Sequence, residues 1–289
     1  MFTKRASSLH RTLTIVFGLF LYQAFAPVAH AQVGLGLAPM RVELRMAPGQ
    51  EYSNTLKLSS QSGLNTRIRA EVLDFDIDDT ATPQFERSLP KETATSCKEW
   101  LTLNPMEMAL DKDGFLNVRY TIHLPAGLAE GSYNCAAGFT TLPAVSALND
   151  GMGLNMAVRV VGAFYIVVGT PPVVGSLEEI KLEPIVGAKG EDPAFQAVVV
   201  LNNSGKMYYR PVGTLDVLDS DGKTIETEPF QSLPVLRERS QRFVFPLKTH
   251  LAPGQYKLRA RVDIGTGEVQ EGDADVTVDG APPMQKAEK

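Results

Sequence analysis

The feature that most constrains this chain is its punctuation. Along its 289 residues, short segments rich in β-branched and aromatic side chains recur, each bounded by Gly, Pro, Asn or Asp. Outside the N-terminus no window of a dozen residues carries a 3.6-residue apolar period, so helices are not expected. Strands are expected over 33–46, 52–59, 66–77, 100–103, 115–124, 132–142 and 154–168. After the paired prolines of Gly169-Thr-Pro-Pro-Val173, which cannot sit inside a sheet, seven more follow at 177–185, 195–201, 208–218, 223–227, 242–247, 256–264 and 273–278. Many short strands with turns every 8–12 residues close into sandwiches or barrels.

An internal echo points to two related units. Leu124-x-x-x-Leu128-Ala129-x-Gly131-x-Tyr133 recurs as Leu247-x-x-x-Leu251-Ala252-x-Gly254-x-Tyr256, each copy lying between two expected strands. In a Greek-key sandwich this is the corner before the penultimate strand, where a Tyr hydroxyl bonds back across the turn. The fold class expected is therefore all-β, two immunoglobulin-like β-sandwich domains in tandem. The first is assigned to residues 32–170 and the second to 171–280, with 281–289 as a disordered tail.

Residues 1–31 read as a signal peptide. Lys4, Arg5 and Arg11 precede an apolar run from Leu13 to Ala26, and Ala29-His30-Ala31 supplies an A-x-A cleavage site. The run is shorter than the ~20 residues a spanning helix needs, and no later segment is long and apolar enough, so a periplasmic protein without stable membrane insertion is expected. Cleavage takes three of the 28 basic side chains and none of the 33 acidic ones, leaving a net charge near −8. That balance argues against nucleic acid as a partner. In an exported chain, Cys97 and Cys135 are expected to form a structural disulfide.

Catalytic signals are sparse. His123 and His250 are the histidines of the exported part, and neither has a G-x-S-x-G serine or a suitable Cys in context. Asp74-Phe-Asp-Ile-Asp-Asp79 could suggest calcium, yet it alternates charged and apolar residues as a half-buried strand does. Asp219-Ser-Asp-Gly222 and Lys112-Asp-Gly114 read as hairpin turns. Gly205-Lys206 lacks the rest of a phosphate loop. No enzyme, cofactor or metal is expected.

Leu37-Ala-Pro-Met-Arg41-Val-Glu-Leu-Arg-Met-Ala-Pro-Gly-Gln50, Leu56–Ser60, Asn104-Pro-Met-Glu-Met-Ala-Leu110 and the long strand 154–168 before the linker together resemble the periplasmic chaperones of the chaperone–usher pathway. The resemblance covers most of the first domain and is vaguer over the second. It implies a protein that lends a strand to pilus or fimbrial subunits lacking one, by β-augmentation. Leu154, Met156, Val158 and Val160, alternating with Asn155, Ala157 and Arg159, are the implied donor residues. It further implies two cations anchoring the subunit's terminal carboxylate. Arg41 matches the first; the usual Lys on the last strand is replaced by Gly162, leaving Arg159 as the substitute. An outer-membrane usher is an implied second partner, and self-dimerisation through the donor strand stays open. Two rival readings remain. One is a structural or adhesive tandem-immunoglobulin protein of the envelope; the other is an unusual exported enzyme with a polar pocket near Asp74–Asp79.

Overall fold

Pro39 decides how the chain begins. It has no N–H to give to a ladder, so the segment expected as one strand over 33–46 is divided between two sheets, as β1 (Leu35–Ala38) and β2 (Arg41–Met46). The computed structural model describes residues 34–60, 65–78, 80, 82–87, 95–142, 157–185 and 194–279. The expected signal peptide and C-terminal tail lie outside them.

The first half continues with β3 (Glu51–Ser60), β4 (Thr66–Ile77), β5 (Pro83–Glu86), β6 (Leu101–Asn104), β7 (Glu107–Leu110), β8 (Phe115–His123), β9 (Gly131–Leu142) and β10 (Arg159–Val168). One sheet has the order β1-β3-β8-β6; the facing sheet has β2-β10-β9-β4-β5, with β7 also on β4. Each of β5 and β7 spans four residues, too few for alternation to register in sequence. The pairing of β2 with β10 is parallel, Arg41 opposite Ala163 through Met46 opposite Val168. Between the sheets lies a core that includes Leu56, Leu58, Ile68, Val118, Ile122, Phe139, Phe164 and Ile166, all fully buried.

The second half has β11 (Gly175–Ile185), β12 (Ala194–Asn203), β13 (Val212–Leu218), β14 (Thr224–Pro229), β15 (Arg239–Pro246), β16 (Gly254–Asp263) and β17 (Val269–Val278). Its sheets run β11-β12-β15 and β14-β13-β16-β17, around Val199, Leu201, Leu215, Phe243, Leu258 and Val262. Tyr208 and Tyr209 were expected inside a strand over 208–218. The β13 ladder instead starts just after Pro211, which has no N–H to offer it, and Tyr209 forms an isolated bridge to Val235. The protein is thus all-β, two immunoglobulin-like sandwiches in tandem.

Both corners are built as the echo suggests. The Tyr133 hydroxyl donates to the Ala129 carbonyl at 2.8 Å, and that of Tyr256 to Ala252 at 2.9 Å. Cys97 and Cys135 are bonded. The bridge fastens the segment leading into β6 alongside β9, where Ser96 and Asn134 also pair. Trp100 packs edge-on to Tyr133 at 5.0 Å.

Candidate binding edge and cleft

β10 has two unlike halves. From Ala163 onward it is flanked by β9 on one side and β2 on the other. Before Ala163 it keeps β9 alone: the Val158 carbonyl accepts from Thr141 N at 2.9 Å, and Val158 N donates to Thr141 Oγ1 at 2.9 Å. Ala163 N points the other way, to the Met40 carbonyl at 2.9 Å. Main-chain groups alternate sides along a strand, so Arg159 and Val161 direct theirs away from β9, where no strand pairs with them among the described residues. The switch falls at Gly162. A Cβ there would lie 3.2 Å from Leu37 Cδ2 and 3.6 Å from the Pro39 carbonyl, so the passage from β1 to β2 crosses here, and β2 pairs with β10 only from Ala163 onward.

Side chains along β10 alternate as well. Phe164, Ile166 and Val168 enter the core of the first sandwich, and Val160 packs against that core. Val161, Ala163, Tyr165 and Val167 face outward. Of the expected donor residues, Val160 is therefore engaged by its own sandwich and Val158 is half-buried at its margin. Leu154 and Met156 lie outside the described residues.

The outward face explains why the run ending at Val168 is apolar on both sides. Leu73, Phe75, Ile77, Ala136, Tyr165 and Val167 form a second cluster, capped by Tyr208 and Leu236 of the other sandwich. Polar contacts fix the two units there. Ser132 N donates to the Lys206 carbonyl at 2.8 Å, Tyr208 N donates to Ser132 Oγ at 2.9 Å, and Arg239 pairs with Asp76 at 2.7 Å.

Arg41 stands opposite Ala163 beside this cluster, its Nε 3.3 Å from Glu43 Oε1. The same oxygen is 3.4 Å from the Nε of Arg210, whose guanidinium lies over the Tyr165 ring at 4.9 Å. Burial pushes the Tyr208 phenol up to about 12, with Glu43 adding to it. Burial also raises Tyr165, against the opposing pull of Arg210. Sequence reasoning did not single out Arg210. Its nearest hint was the aromatic pair before it and Pro211 after it, which mark a connection and not a strand.

Arg159 is not beside Arg41. It sits four residues before Ala163, about 13 Å along the strand. Its guanidinium lies 3.6 Å from Glu71 and donates to the Phe85 carbonyl. The acidic run resolves into separate partnerships: Asp74 with Ser96 and Lys98, Asp76 with Arg239, and Asp78 holding the turn at Thr80 and Thr82. Hydrogen bonds, that from Thr80 first, hold the Asp78 carboxyl below its ordinary value. Asp79 lies outside the described residues. Among the described residues no three His, Cys, Asp or Glu gather in a way that could hold a metal ion, and no helix is long and apolar enough to cross a membrane. His123 is exposed, 3.4 Å from Glu51, and His250 is exposed.

No family model and no curated protein matches the sequence. Among solved structures, the YadV chaperone is similar with a TM-score of 0.43 at 13% identity, over 84% of this chain and 99% of that one. The CupB2 chaperone of Pseudomonas aeruginosa gives 0.41 at 14%, over 85% and 100%. The SafB chaperone of Salmonella enterica, solved with the SafA pilin, gives 0.42 at 12%, over 86% and 99%. With identities this low, what the chain binds has to be read from its own edge and cleft. In its succession of two immunoglobulin-like sandwiches the chain is similar to these three solved chaperones.

Proposed function

We propose that this chain is an exported, periplasmic chaperone-like protein, without chemistry of its own, that binds pilus or surface-fibre subunits by lending them a β-strand. One observation carries the reading. Among the described residues the first half of β10 has a strand partner on one side only, and it directs the main-chain groups of Arg159 and Val161 outward. An uncovered edge of this kind is what β-augmentation uses, and left unmanaged it is an aggregation hazard. Beyond Val160, which its own sandwich holds, the proposed donor strand runs backward through Val158, Met156 and Leu154, whose period-two apolar pattern suits pockets on a subunit. A pilin accompanies one of the similar chaperones, which agrees with such a client. An usher is the second expected partner.

Arg41 is the cleft cation for a subunit's terminal carboxylate. The guanidinium that shares its neighbourhood is that of Arg210, since both contact the same Glu43 oxygen. Arg159, about 13 Å away along the strand, serves another purpose. Two cations around one carboxylate form strong charge-assisted bonds, and a client carboxylate would compete with Glu43 for them.

The test is capture from a periplasmic extract by the mature protein and by Val161→Pro. Proline removes an N–H that points off the edge, so the sandwich loses no ladder bond, while an added strand loses one. Small β-rich subunits captured by the parent and lost at least tenfold in the variant are expected. Equal capture by both, or none by the parent, sinks strand donation and leaves a structural envelope module. Sedimentation of the parent alone shows whether two copies pair through the same edge.

A further inference from the structure

Beside the open edge, on the outward face of the first sandwich, there is a cavity of about 390 Å³ open to solvent and lined by Arg69, Glu71, Arg87, Thr140 and Arg159, among others. Three strands place these residues together. Outward positions of β4 carry Arg69 and Glu71, the outward position of β9 carries Thr140, and Arg159 opens β10; Thr140 stands opposite both Arg69 and Arg159 in the ladders. Arg87 follows β5 and donates to Glu71 at 2.8 Å. Arg69 donates through two nitrogens to one oxygen of Glu107, at 2.8 and 3.1 Å.

The charges here do not balance. Among the described residues the three guanidiniums of the cavity meet two carboxylates, of which Glu107 also pairs with Arg67 at 3.6 Å and Glu71 is largely enclosed, with 15% of its side chain exposed. Arginine has five N–H donors in a fixed fork, far more than two carboxylates and the Phe85 carbonyl engage among the described residues. The cavity is thus a local cationic site on a chain of net charge −5. It is of a size that takes a small ligand or a side chain, and forked donors suit a carboxylate. Arg159 links it to the edge. The main chain of that residue faces the open side of β10 while its guanidinium reaches back over β9 into the cavity. A strand laid against Arg159 puts its own outward side chains within about 5 Å of that residue's Cβ.

We infer that this arginine cavity is a specificity pocket for the bound subunit, receiving a carboxylate carried by the strand beside the open edge, an aspartate or glutamate side chain. The inference rests on the strand-donation reading for its partner, but its chemistry is separable from it. A three-residue peptide is too short to add a strand, so it probes the cavity alone.

The experiment follows the arginine Nε–Hε signals of the mature protein by NMR during titration with acetyl-Glu-Glu-Glu-amide. Acetyl-Gln-Gln-Gln-amide and the free acid of the same glutamine peptide are the controls. The acidic peptide is expected to shift Arg69, Arg87 and Arg159, with affinity falling about tenfold in Arg69→Gln/Arg87→Gln and weakening with salt. If the free-acid glutamine peptide acts as strongly, the carboxylate comes from a chain terminus, and the side-chain assignment is overturned. No shift with either acid overturns the inference. So does equal binding of the amidated glutamine peptide, or affinity unchanged in the double variant. Subunit capture without peptide binding removes the pocket and spares strand donation; peptide binding without capture does the reverse.

Discussion

Tyr208 shows how much a single side chain depends on the other sandwich. Its ring lies tilted by 35° against that of Tyr165 of β10, 4.9 Å between centroids, and its phenol is pushed up to about 12 by burial there. The folded state therefore keeps a proton that the unfolded chain releases near the ordinary value of 10.0. The resulting stability is complete below pH 10 and is lost as pH rises toward 12. In Tyr208→Phe, urea midpoints between pH 10 and 12 are expected to fall less steeply than in the parent, a difference of at most about 2 kcal/mol. Parallel slopes would show that the phenol is not protected. The corner tyrosines were legible in sequence because each bonds a carbonyl only four residues back. Arg210 was not, because its partner Glu43 is 167 residues away, and nothing local records a contact of that range.

Among the elements, β9 and β10 carry both the core and the candidate site. Gly138 on β9 faces outward beneath Leu73, whose Cδ1 would lie 2.7 Å from an added Cβ and Glu71 Cγ 3.3 Å. A glycine inside a strand usually marks such a close approach. Gly138→Val is expected to destabilise by about 1–3 kcal/mol through overpacking, read as a lower thermal midpoint; an unchanged midpoint would mean that Leu73 moves aside freely. Alternation made the longer strands legible, because residues of one parity must enter a core. It could not tell which faces are covered twice. The stretch from Phe164 to Val168 reads as continuously apolar, and only the second sandwich explains its outer half. Nor could alternation assign Val160, since a residue facing its own core and one facing a partner's pocket follow the same period of two. The division at Pro39 was written in the sequence, and the composition around it masked it.

For the whole molecule, the cystine adds a covalent tie to the two apolar cores. Cys97 and Cys135 are 38 residues apart, and closing such a loop in the unfolded chain is worth about 4 kcal/mol on the chain-entropy model. Cys97→Ser/Cys135→Ser is expected to lower the unfolding free energy from urea titration by that order, and dithiothreitol should do the same to the parent. A midpoint insensitive to both would mean that the bridge adds nothing. Fold class and tandem organisation were legible from strand punctuation and the repeated corner. The cleft was not, being assembled from Glu43, Ser132, Asp76 and their partners beyond residue 205. The parallel pairing of β2 with β10 also governs the order in which the protein can be made. β2 is synthesised early, yet its partner strand follows roughly 120 residues later. Through that interval the first strand waits with an unsatisfied side, exposed to proteases and to the edges of neighbouring chains. A chain cut short before Arg159 lacks the strand that joins β2 to β9, so the first sandwich is finished only when β10 arrives.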